Sequence, residues 1–503
     1  MKFGLRGSRV EELEVVAASP EKLDSRILRG TAWMGVGHGG KNLALLLSML
    51  VLLRLLEPKA FGLVALAWTV TIVTDHLQNA GTTAALIYRR ERVKEAAATA
   101  LVFSWASALS FYAVVAVAAP LVADAFHAPA LTNILRVYAL VIILRGVGLV
   151  PLALLERNID FRTRSKCDVA GALTQACLAV GLAFAGFGVW SLVLGQLAGA
   201  VTQSAVAWFV VPWRPDPRKA RLGVVRDLVS YGWYISATNI VNLANNTVDN
   251  VVVGRLAGPV TLGFYAVGYR LADFPNSVLA QIVGGGRVMF PVYSVLRGDV
   301  ERFRRAYLQT LQRIALVALP ASVGLLVAAE PIVAALLGPK WHPTVTPLRI
   351  LAAYGLVKGF AAPSGEVFKG AGHPRFGLAV GALQFALTLP LLIVLVPSHG
   401  LAGAAIAMLS SMIVASVFRF AVTFRLLHVR PPELFRSLAP SIVCAFLLAT
   451  VLLMLLPAAH SLDPISGLAV LVAAGVLVYA GSTLTIARSV VGPIWGSLRG
   501  VGA

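Results

Sequence analysis

Long apolar stretches, separated by short charged segments, extend along almost the whole chain. A helix that crosses the hydrocarbon core of a bilayer needs about 20 predominantly apolar residues. The stretches that meet this length are 32–56, 61–87, 96–119, 131–155, 168–187, 190–211, 228–253, 262–290, 314–337, 346–366, 376–396, 401–426, 438–456 and 465–486. Very tight turns at 186–188 and 398–400 join two pairs of them. The pattern predicts an all-α, polytopic membrane protein with about fourteen transmembrane helices.

Composition supports the same class and excludes others. Apolar residues make up 58% of the chain and charged residues only 13%, whereas soluble proteins carry roughly 25% charged residues. The formal net charge is +20, but the basic residues fall in short groups between apolar stretches rather than on one nucleic-acid-binding domain. We therefore expect a lipid bilayer, and no nucleic acid, as the partner of this surface.

The basic residues also predict an orientation. Cytoplasmic loops of membrane proteins carry an excess of Lys and Arg. Loops that follow even-numbered spans are rich in them, as at 89–94, 157–166, 214–221, 297–305, 369–375 and 430–436, whereas loops after odd-numbered spans hold little more than Lys59, Arg255 and Lys340. The alternation persists to the end of the chain, so both termini are predicted to be cytoplasmic. Residues 1–29 are charged and show no cleavable signal peptide.

The two halves of the chain repeat one pattern. Residues 54–62 read RLLEPKAFG and residues 255–263 read RLAGPVTLG, while Pro120 and Pro151 are matched about 212 positions later by Pro331 and Pro363. These matches predict two pseudo-symmetric lobes of six helices, related by an axis along the membrane normal. We divide the chain into a cytoplasmic tail (1–29), an N-lobe (30–212), a C-lobe (213–430) and a final segment with two helices and the C-terminal tail (431–503).

This architecture favours transport over catalysis. Two parallel lobes with a cleft between them can alternate access by rocking, with the substrate site near the midplane. The longest internal loops, about 291–313 and 212–227, are short basic connectors that could not fold as a catalytic domain, and no DxD nucleotide motif is present. No catalytic residue, metal site or cofactor is predicted.

Several segments resemble the polysaccharide-transporter family of oligosaccharide flippases. They are RLLEPKAFGLVALA (54–67), FGVWSLVLGQLAG (187–199), DNVVVGRLAGPVTLGFYAVGYRLA (249–272), MFPVYSVLRGDVERFRRAY (289–307) and AEPIVAALLGPKW (329–341). The resemblance extends from about residue 30 to 430. It implies movement of undecaprenyl-diphosphate-linked oligosaccharide from the cytoplasmic to the periplasmic leaflet of a bacterial inner membrane, for exopolysaccharide, capsule or O-antigen assembly. It also suggests a monomer that works near a polymerase and a co-polymerase.

Charged residues inside the spans are the first candidates for a substrate site, because a charge at mid-bilayer costs roughly 2.5–3.5 kcal/mol. Lys41 and Asn42 lie in a glycine-rich part of the first span, and Arg145, Arg270 and Lys358 lie in spans 4, 8 and 10. We predict that they face the cleft and contact diphosphate. The alternative is that they snorkel or form salt bridges between helices. Arg54 and Arg255, near the repeated turns, are instead predicted to fix loop geometry or cap helix carbonyls.

Polar uncharged residues are the second group of candidates. Asn239, Asn242, Asn246 and Asp249 or Asn250 recur every three or four residues in span 7 and so share one helix face. They are predicted either to contact sugar or to form hydrogen bonds between helices. Asp75 and Asn79 in span 2 are predicted to form an opposite wall of the cleft. Asp75 and Asp249 could also bind a coupling proton or cation, or pair with a cleft cation.

Three other functions stay open at this point. A cation-coupled multidrug extruder of the same superfamily would favour acidic and aromatic residues around an organic cation, whereas the charges in these spans are mostly basic. A membrane polysaccharide synthase or polymerase would transfer sugar as a purified protein. A non-transporting scaffold of a polysaccharide-assembly complex is the third.

Overall fold

The computed structural model describes residues 20–79, 93–158, 160–214, 222–282, 289 and 293–486. In this part of the chain the secondary structure is helical and includes no β-strand. Helices of the N-lobe are α1 (Pro20–Leu55), α2 (Pro58–Asn79), α3 (Val93–Ala125), α4 (Leu131–Tyr138), α5 (Leu140–Arg157), α6 (Phe161–Phe184) and α7 (Val189–Val210). Helices α4 and α5 meet at Ala139 and together fill the predicted span 131–155.

The C-lobe and the final segment continue with longer helices. They are α8 (Leu222–Ile282), α9 (Val300–Val327), α10 (Val345–Gly370), α11 (Pro374–Leu427), α12 (Pro431–His460) and α13 (Pro464–Thr485). Helix α8 breaks at Gly258 (φ 82°) and α11 breaks at Gly400 (φ 56°). Since glycine adopts positive φ without a steric penalty, each break turns the chain sharply between two predicted spans. The appended helix α12 packs on α9, and α13 packs on α12.

Nine helices of the described part are long and apolar enough to cross a membrane. Two of these stretches, Ile240–Asn276 and Pro374–Leu427, contain the breaks at Gly258 and Gly400 and therefore turn back within their length. The chain is thus an all-α, multi-pass membrane protein, as predicted. The count of fourteen spans stays a prediction.

Four predicted boundaries differ from the structure. Span 314–337 is displaced, because α9 covers Val300–Val327 and short helical turns follow to Thr344. The supposed loop 291–313 is helical from Val300, since the Asp299 side chain accepts a hydrogen bond from the Arg302 backbone amide (3.0 Å) and caps the helix. Loop 212–227 is likewise shorter, with α8 beginning at Leu222, and α1 begins at Pro20, inside the segment predicted as a tail.

The repeated motifs pack directly against each other. Gly62 lies against the Pro259 carbonyl and Gly263 lies against the Pro58 carbonyl, so that neither glycine has room for a Cβ atom. Each proline begins a helical segment, α2 in the N-lobe and residues 259–282 of α8 in the C-lobe. Such reciprocal contacts are those of two copies related by a two-fold axis. We call this end of the molecule, where α1 turns into α2 and α8 breaks, the closed end.

A second set of contacts joins the lobes at the closed end. Arg54 donates hydrogen bonds to the carbonyl oxygens of Leu336 (3.1 Å) and Ala335. Trp341 is fully buried, donates to the Leu53 carbonyl (2.7 Å), and lies edge-on to Phe61 and Phe264. Lys340 donates to the Arg54 and Leu56 carbonyls at 2.8 Å each.

These contacts confirm that Arg54 caps helix carbonyls. Its counterpart Arg255 instead contacts the His127 ring nitrogen Nδ1 at 2.8 Å.

Candidate functional site

A cavity of about 840 Å³ lies between the lobes, on the inner side of the closed end. Its N-lobe wall is formed by α1, α2, α4, α5, α6 and α7, and its C-lobe wall by α8 and α10. The predicted site residues that line it are Lys41, Asn42, Arg145, Asn242, Asn246, Asp249, Arg270 and Lys358. Of the others, Asp75 lies behind the wall, and the side chains of Asn79 and Asn239 are outside the described residues.

Helical spacing places α1 along this cavity. Lys41, Leu45, Ser48 and Leu52 are separated by three or four residues and line it together. The stripe is cationic at Lys41 and becomes apolar toward the closed end. One helix face therefore connects the polar part of the cavity to the packed contact between the lobes.

The N-lobe wall contains an ion pair between α5 and α2. Arg145 Nη1 bonds to Asp75 Oδ2. The Arg145 side chain is 41% exposed, whereas that of Asp75 is 12% exposed. The guanidinium therefore pairs with a buried carboxylate and still presents donors to the cavity.

The C-lobe wall contains a second ion pair, between α10 and α8. Lys358 Nζ lies 3.0 Å from Asp273 Oδ1 and 3.3 Å from the Tyr269 hydroxyl. It also lies 5.6 Å and 5.8 Å from the ring centres of Tyr269 and Tyr354, within cation–π range. The alternative role for Arg145 and Lys358, a salt bridge between helices, is thus present, and both side chains line the cavity at the same time.

The two ion pairs occupy corresponding positions of the repeat. Lys358 follows Arg145 by 213 positions, close to the 212 positions between Pro151 and Pro363. Asp273 follows Asp75 by 198 positions, and the first repeated motif has an offset of 201, so the two carboxylates differ by about one helical turn. Each lobe therefore links its second span to its fourth by one acid–base pair.

Two further cations of the cavity have no such partner. Within the described part of the chain, neither Lys41 nor Arg270 makes an ion pair or a hydrogen bond through its side chain. An uncompensated charge held away from water costs several kcal/mol unless a counter-charge or solvent reaches it. The cavity thus offers two cationic groups to an anion.

The polar row of span 7 is divided between two roles. Asn242 and Asn246 are exposed to the cavity. Asn245 is buried and donates to the Gly381 carbonyl (2.9 Å), and Asn250 donates to Thr69 Oγ1 (3.3 Å). Asp249 is 2% exposed and accepts a hydrogen bond from the Tyr265 hydroxyl (3.0 Å). One helix therefore both lines the cavity and bonds to its neighbours, because its polar residues extend beyond a single face.

Sequence reasoning missed several polar residues of the cavity. They are Gln175, Gln196, Gln203, Asp168, Tyr269 and Asp273. The available signal was the seven-residue interval between Gln196 and Gln203, which places both on one face of an otherwise apolar span. In the described residues, no three His, Cys, Asp or Glu side chains are grouped as a metal site.

The fold and the cavity define a two-lobed helical membrane protein with a charged chamber between its lobes. The family model described as "polysaccharide biosynthesis protein" matches residues 51–346, and the chain belongs to that family.

Among curated proteins, the chain is 28% identical over 337 residues to the succinoglycan biosynthesis transport protein ExoT of Rhizobium meliloti, covering 67% of each chain. It is 22% identical to the lipopolysaccharide biosynthesis protein WzxC of Escherichia coli, covering 76% of this chain and 77% of that one. Among solved structures, the lipid II flippase MurJ in an inward closed conformation matches with a TM-score of 0.71 at 14% identity. The match covers 90% of this chain and 99% of that one.

Proposed function

We propose that this protein is a flippase that moves undecaprenyl-diphosphate-linked oligosaccharide from the cytoplasmic to the periplasmic leaflet of the bacterial inner membrane. The product would feed exopolysaccharide, capsule or O-antigen assembly. The observation that carries the proposal is the pair of cations Lys41 and Arg270, which have no ion-pair partner among the described residues and lie in a polar cavity between two repeated lobes. Family membership, the transport protein ExoT and the fold of a lipid II flippase support it.

The charge of the cavity fits this cargo. A diphosphate needs cationic donors, and sugar hydroxyls need groups that both donate and accept, which amides provide. Lys41 and Arg270 supply the first, and Asn42, Asn242 and Asn246 supply the second. Among the described residues, the cations Lys41 and Arg270 line the cavity without an ion pair, which favours an anionic cargo over the organic cation of a multidrug extruder.

The contacts at the closed end suggest how access alternates. Opening there requires the hydrogen bonds of Arg54, Lys340 and Trp341 to break and Gly62 to separate from Pro259. The two-fold arrangement allows the lobes to rock as rigid bodies about the cavity. The excess of Lys and Arg in the loops at the opposite end supports a periplasmic closed end and cytoplasmic termini. A polymerase and a co-polymerase would then act on the delivered lipid.

Liposomes test the proposal. The purified full chain is reconstituted with fluorescent undecaprenyl-diphosphate oligosaccharide, and appearance of the lipid in the opposite leaflet is followed. We expect faster transfer than in empty liposomes, and equal rates would refute the proposal.

Variants of the two free cations sharpen this experiment. Lys41→Ala and Arg270→Ala should each lower the rate at least about 10-fold, since a hydrogen bond to a charged group is worth about 1.5–3 kcal/mol. Arg425→Ala, an exposed arginine outside the cavity, is the matched control and should transfer like wild type. Wild-type transfer by both cavity variants would remove these residues from the site.

A further inference from the structure

Three glutamines form a row on the N-lobe wall of the cavity. Gln196 and Gln203 lie two turns apart on one face of α7, about 10 Å along the helix axis. The Gln175 carboxamide oxygen of α6 lies 3.4 Å from the position that a Cβ atom on Gly199 would occupy, and Gly199 lies between the other two glutamines on α7. Three amides therefore follow one another along the wall. We call them the glutamine row.

Two members of the glutamine row, Gln175 and Gln196, are not needed to hold α6 and α7 together. Helices α6 and α7 approach closely through glycine, since a Cβ on Gly199 would come within 2.9 Å of the Gly171 carbonyl oxygen, and one on Gly195 within 3.0 Å of the Gln175 carbonyl oxygen. Close backbone approach of this kind is itself sufficient for helix association in lipid. In the described part of the chain, the side chains of Gln175 and Gln196 make no hydrogen bond.

One end of the row is fixed in orientation. Gln203 Nε2 donates to Asp168 Oδ1 at 2.5 Å, and Arg164 bonds to the same carboxylate. A carboxylate only accepts hydrogen bonds, so the amide nitrogen of Gln203 must face Asp168. The amide oxygen of Gln203 then remains as an acceptor at the edge of the cavity.

One end of the row, at Gln196, extends deeper than the cation Lys41. Gln196 lies seven residues from Val189, where α7 begins beside the closed end, which is about 10 Å at a rise of 1.5 Å per residue. Lys41 lies fourteen residues from Leu55, where α1 ends at the closed end, or about 21 Å. A cargo with one anionic and one neutral polar part would therefore place its anionic part near Lys41 and its neutral part toward the closed end.

We propose that the glutamine row is a sugar-recognition subsite of this cavity, in addition to Asn42, Asn242 and Asn246. The inference rests on the proposed function, because it takes diphosphate binding by Lys41 and Arg270 as given. Neutral amides suit hydroxyl groups, since each amide has two donors and an acceptor and carries no charge that must be desolvated. The sugar head enters ahead of the diphosphate and contacts Gln175, Gln196 and the oxygen of Gln203.

Binding of two lipids to the purified full chain tests this subsite. One probe is undecaprenyl diphosphate, and the other is the lipid-linked oligosaccharide fraction extracted from a source strain whose gene for this chain is deleted. Wild type should bind the glycosylated lipid at least about 10-fold more tightly than the bare one, because several hydrogen bonds are added. Gln175→Leu and Gln196→Leu should each lower the preference for the glycosylated lipid about 5-fold and leave binding of the bare lipid unchanged.

Controls separate this inference from the function on which it rests. Gln309→Leu, on an exposed position of α9 outside the cavity, should retain the full preference. If a leucine variant does not fold, as judged by its melting temperature, the alanine variant at that position takes its place. Equal preference in wild type and in both glutamine variants, or a wild type without preference, would overturn the subsite while diphosphate binding stands. A wild type that binds neither lipid would instead overturn the proposed function.

Discussion

In the N-lobe the ion pair Arg145–Asp75 shares its cavity wall with three glutamines, whereas in the C-lobe the pair Lys358–Asp273 lies beside two tyrosine rings. The frame of the two lobes is the same, since each links its second span to its fourth by an acid–base pair and each contributes a glycine to the crossing at the closed end. The surfaces that the lobes present to the cavity differ in chemistry. The comparison teaches that the repeat gives both lobes the same frame while their cavity walls differ in chemistry. In the proposed function, the shared frame allows the lobes to rock and the unlike walls suit a cargo with two unlike ends.

The largest loss of export is expected from changes at the closed end, where the two lobes make reciprocal glycine contacts. Gly62→Ala and Gly263→Ala should each reduce glycan export more than 10-fold, and to the same extent, because each Cβ would overlap a backbone carbonyl that cannot rotate away. Overpacking typically costs about 1–3 kcal/mol and occasionally more, and we expect a clash with the backbone to lie at the upper end of this range. Export in cells, normalised to the amount of protein in the membrane, measures the effect.

The control for the glycine crossing is Gly324→Ala in α9, where no atom lies within 4 Å of the added Cβ. It should export like wild type. A large loss at only one of Gly62 and Gly263 would show that the crossing is not functionally symmetric.

The ion pairs should give the next largest effect. Asp75→Lys and Asp273→Lys each leave two like charges together and should destabilise the protein by about 3 kcal/mol, the lower limit for a buried pair, because the cationic partners are partly exposed. The swaps Asp75→Lys/Arg145→Asp and Asp273→Lys/Lys358→Asp restore opposite charges and should recover most of the melting temperature. Thermal unfolding of the purified protein measures both results.

Glu330→Lys is the matched control for these reversals, since its pair with Arg349 is 42–44% exposed. Surface pairs contribute about 0–1 kcal/mol, so its melting temperature should change little. Recovery by neither swap would show that the two pairs do not stabilise their lobes in the same way.

The arginines of the repeated turns should give the smallest effect and should differ between the lobes. Arg54→Ala loses hydrogen bonds to two carbonyl oxygens and should destabilise the closed end by about 1–2 kcal/mol. Arg255→Ala loses only a contact with His127 and should cost less than about 1 kcal/mol. Labelling of a cysteine introduced at the closed end should rise more in Arg54→Ala than in Arg255→Ala. The exposed Lys59→Ala is the control, and equal labelling in the two arginine variants would contradict the asymmetry.

Much of the fold could be predicted because the hydrocarbon core of a bilayer sets the length of every spanning helix and requires that helix to be mostly apolar. The last predicted span, 465–486, differs by one residue at each end from the helix Pro464–Thr485, and the turn predicted at 398–400 contains the break at Gly400. Span 314–337 was misplaced because Phe303, Tyr307 and Leu311 bury one face of an otherwise basic helix, which reads as a loop by average hydropathy. Hydropathy averaged over a window does not detect a helix whose first turns are amphipathic, because its polar and apolar faces cancel in the average.

The site was predictable to the extent that charge inside a span is costly. Lys41, Arg145, Arg270 and Lys358 stand out in apolar segments for that reason, and all of them line the cavity. The glutamines were missed because they are few in each span, one in α6 and two in α7, whereas the amides of span 7 recur at helical spacing along one face.

The sequence by itself determined the class of protein, the repeat of the two halves and the identity of the costly cations, because these depend on composition and on spacing along one helix. Only the tertiary structure decided which cations are neutralised. Asp75 and Arg145 are 70 residues apart and Asp273 and Lys358 are 85 apart, so their pairing depends on how separate helices pack. The same packing leaves Lys41 and Arg270 without a carboxylate among the described residues and places the glutamine row beside them in one chamber.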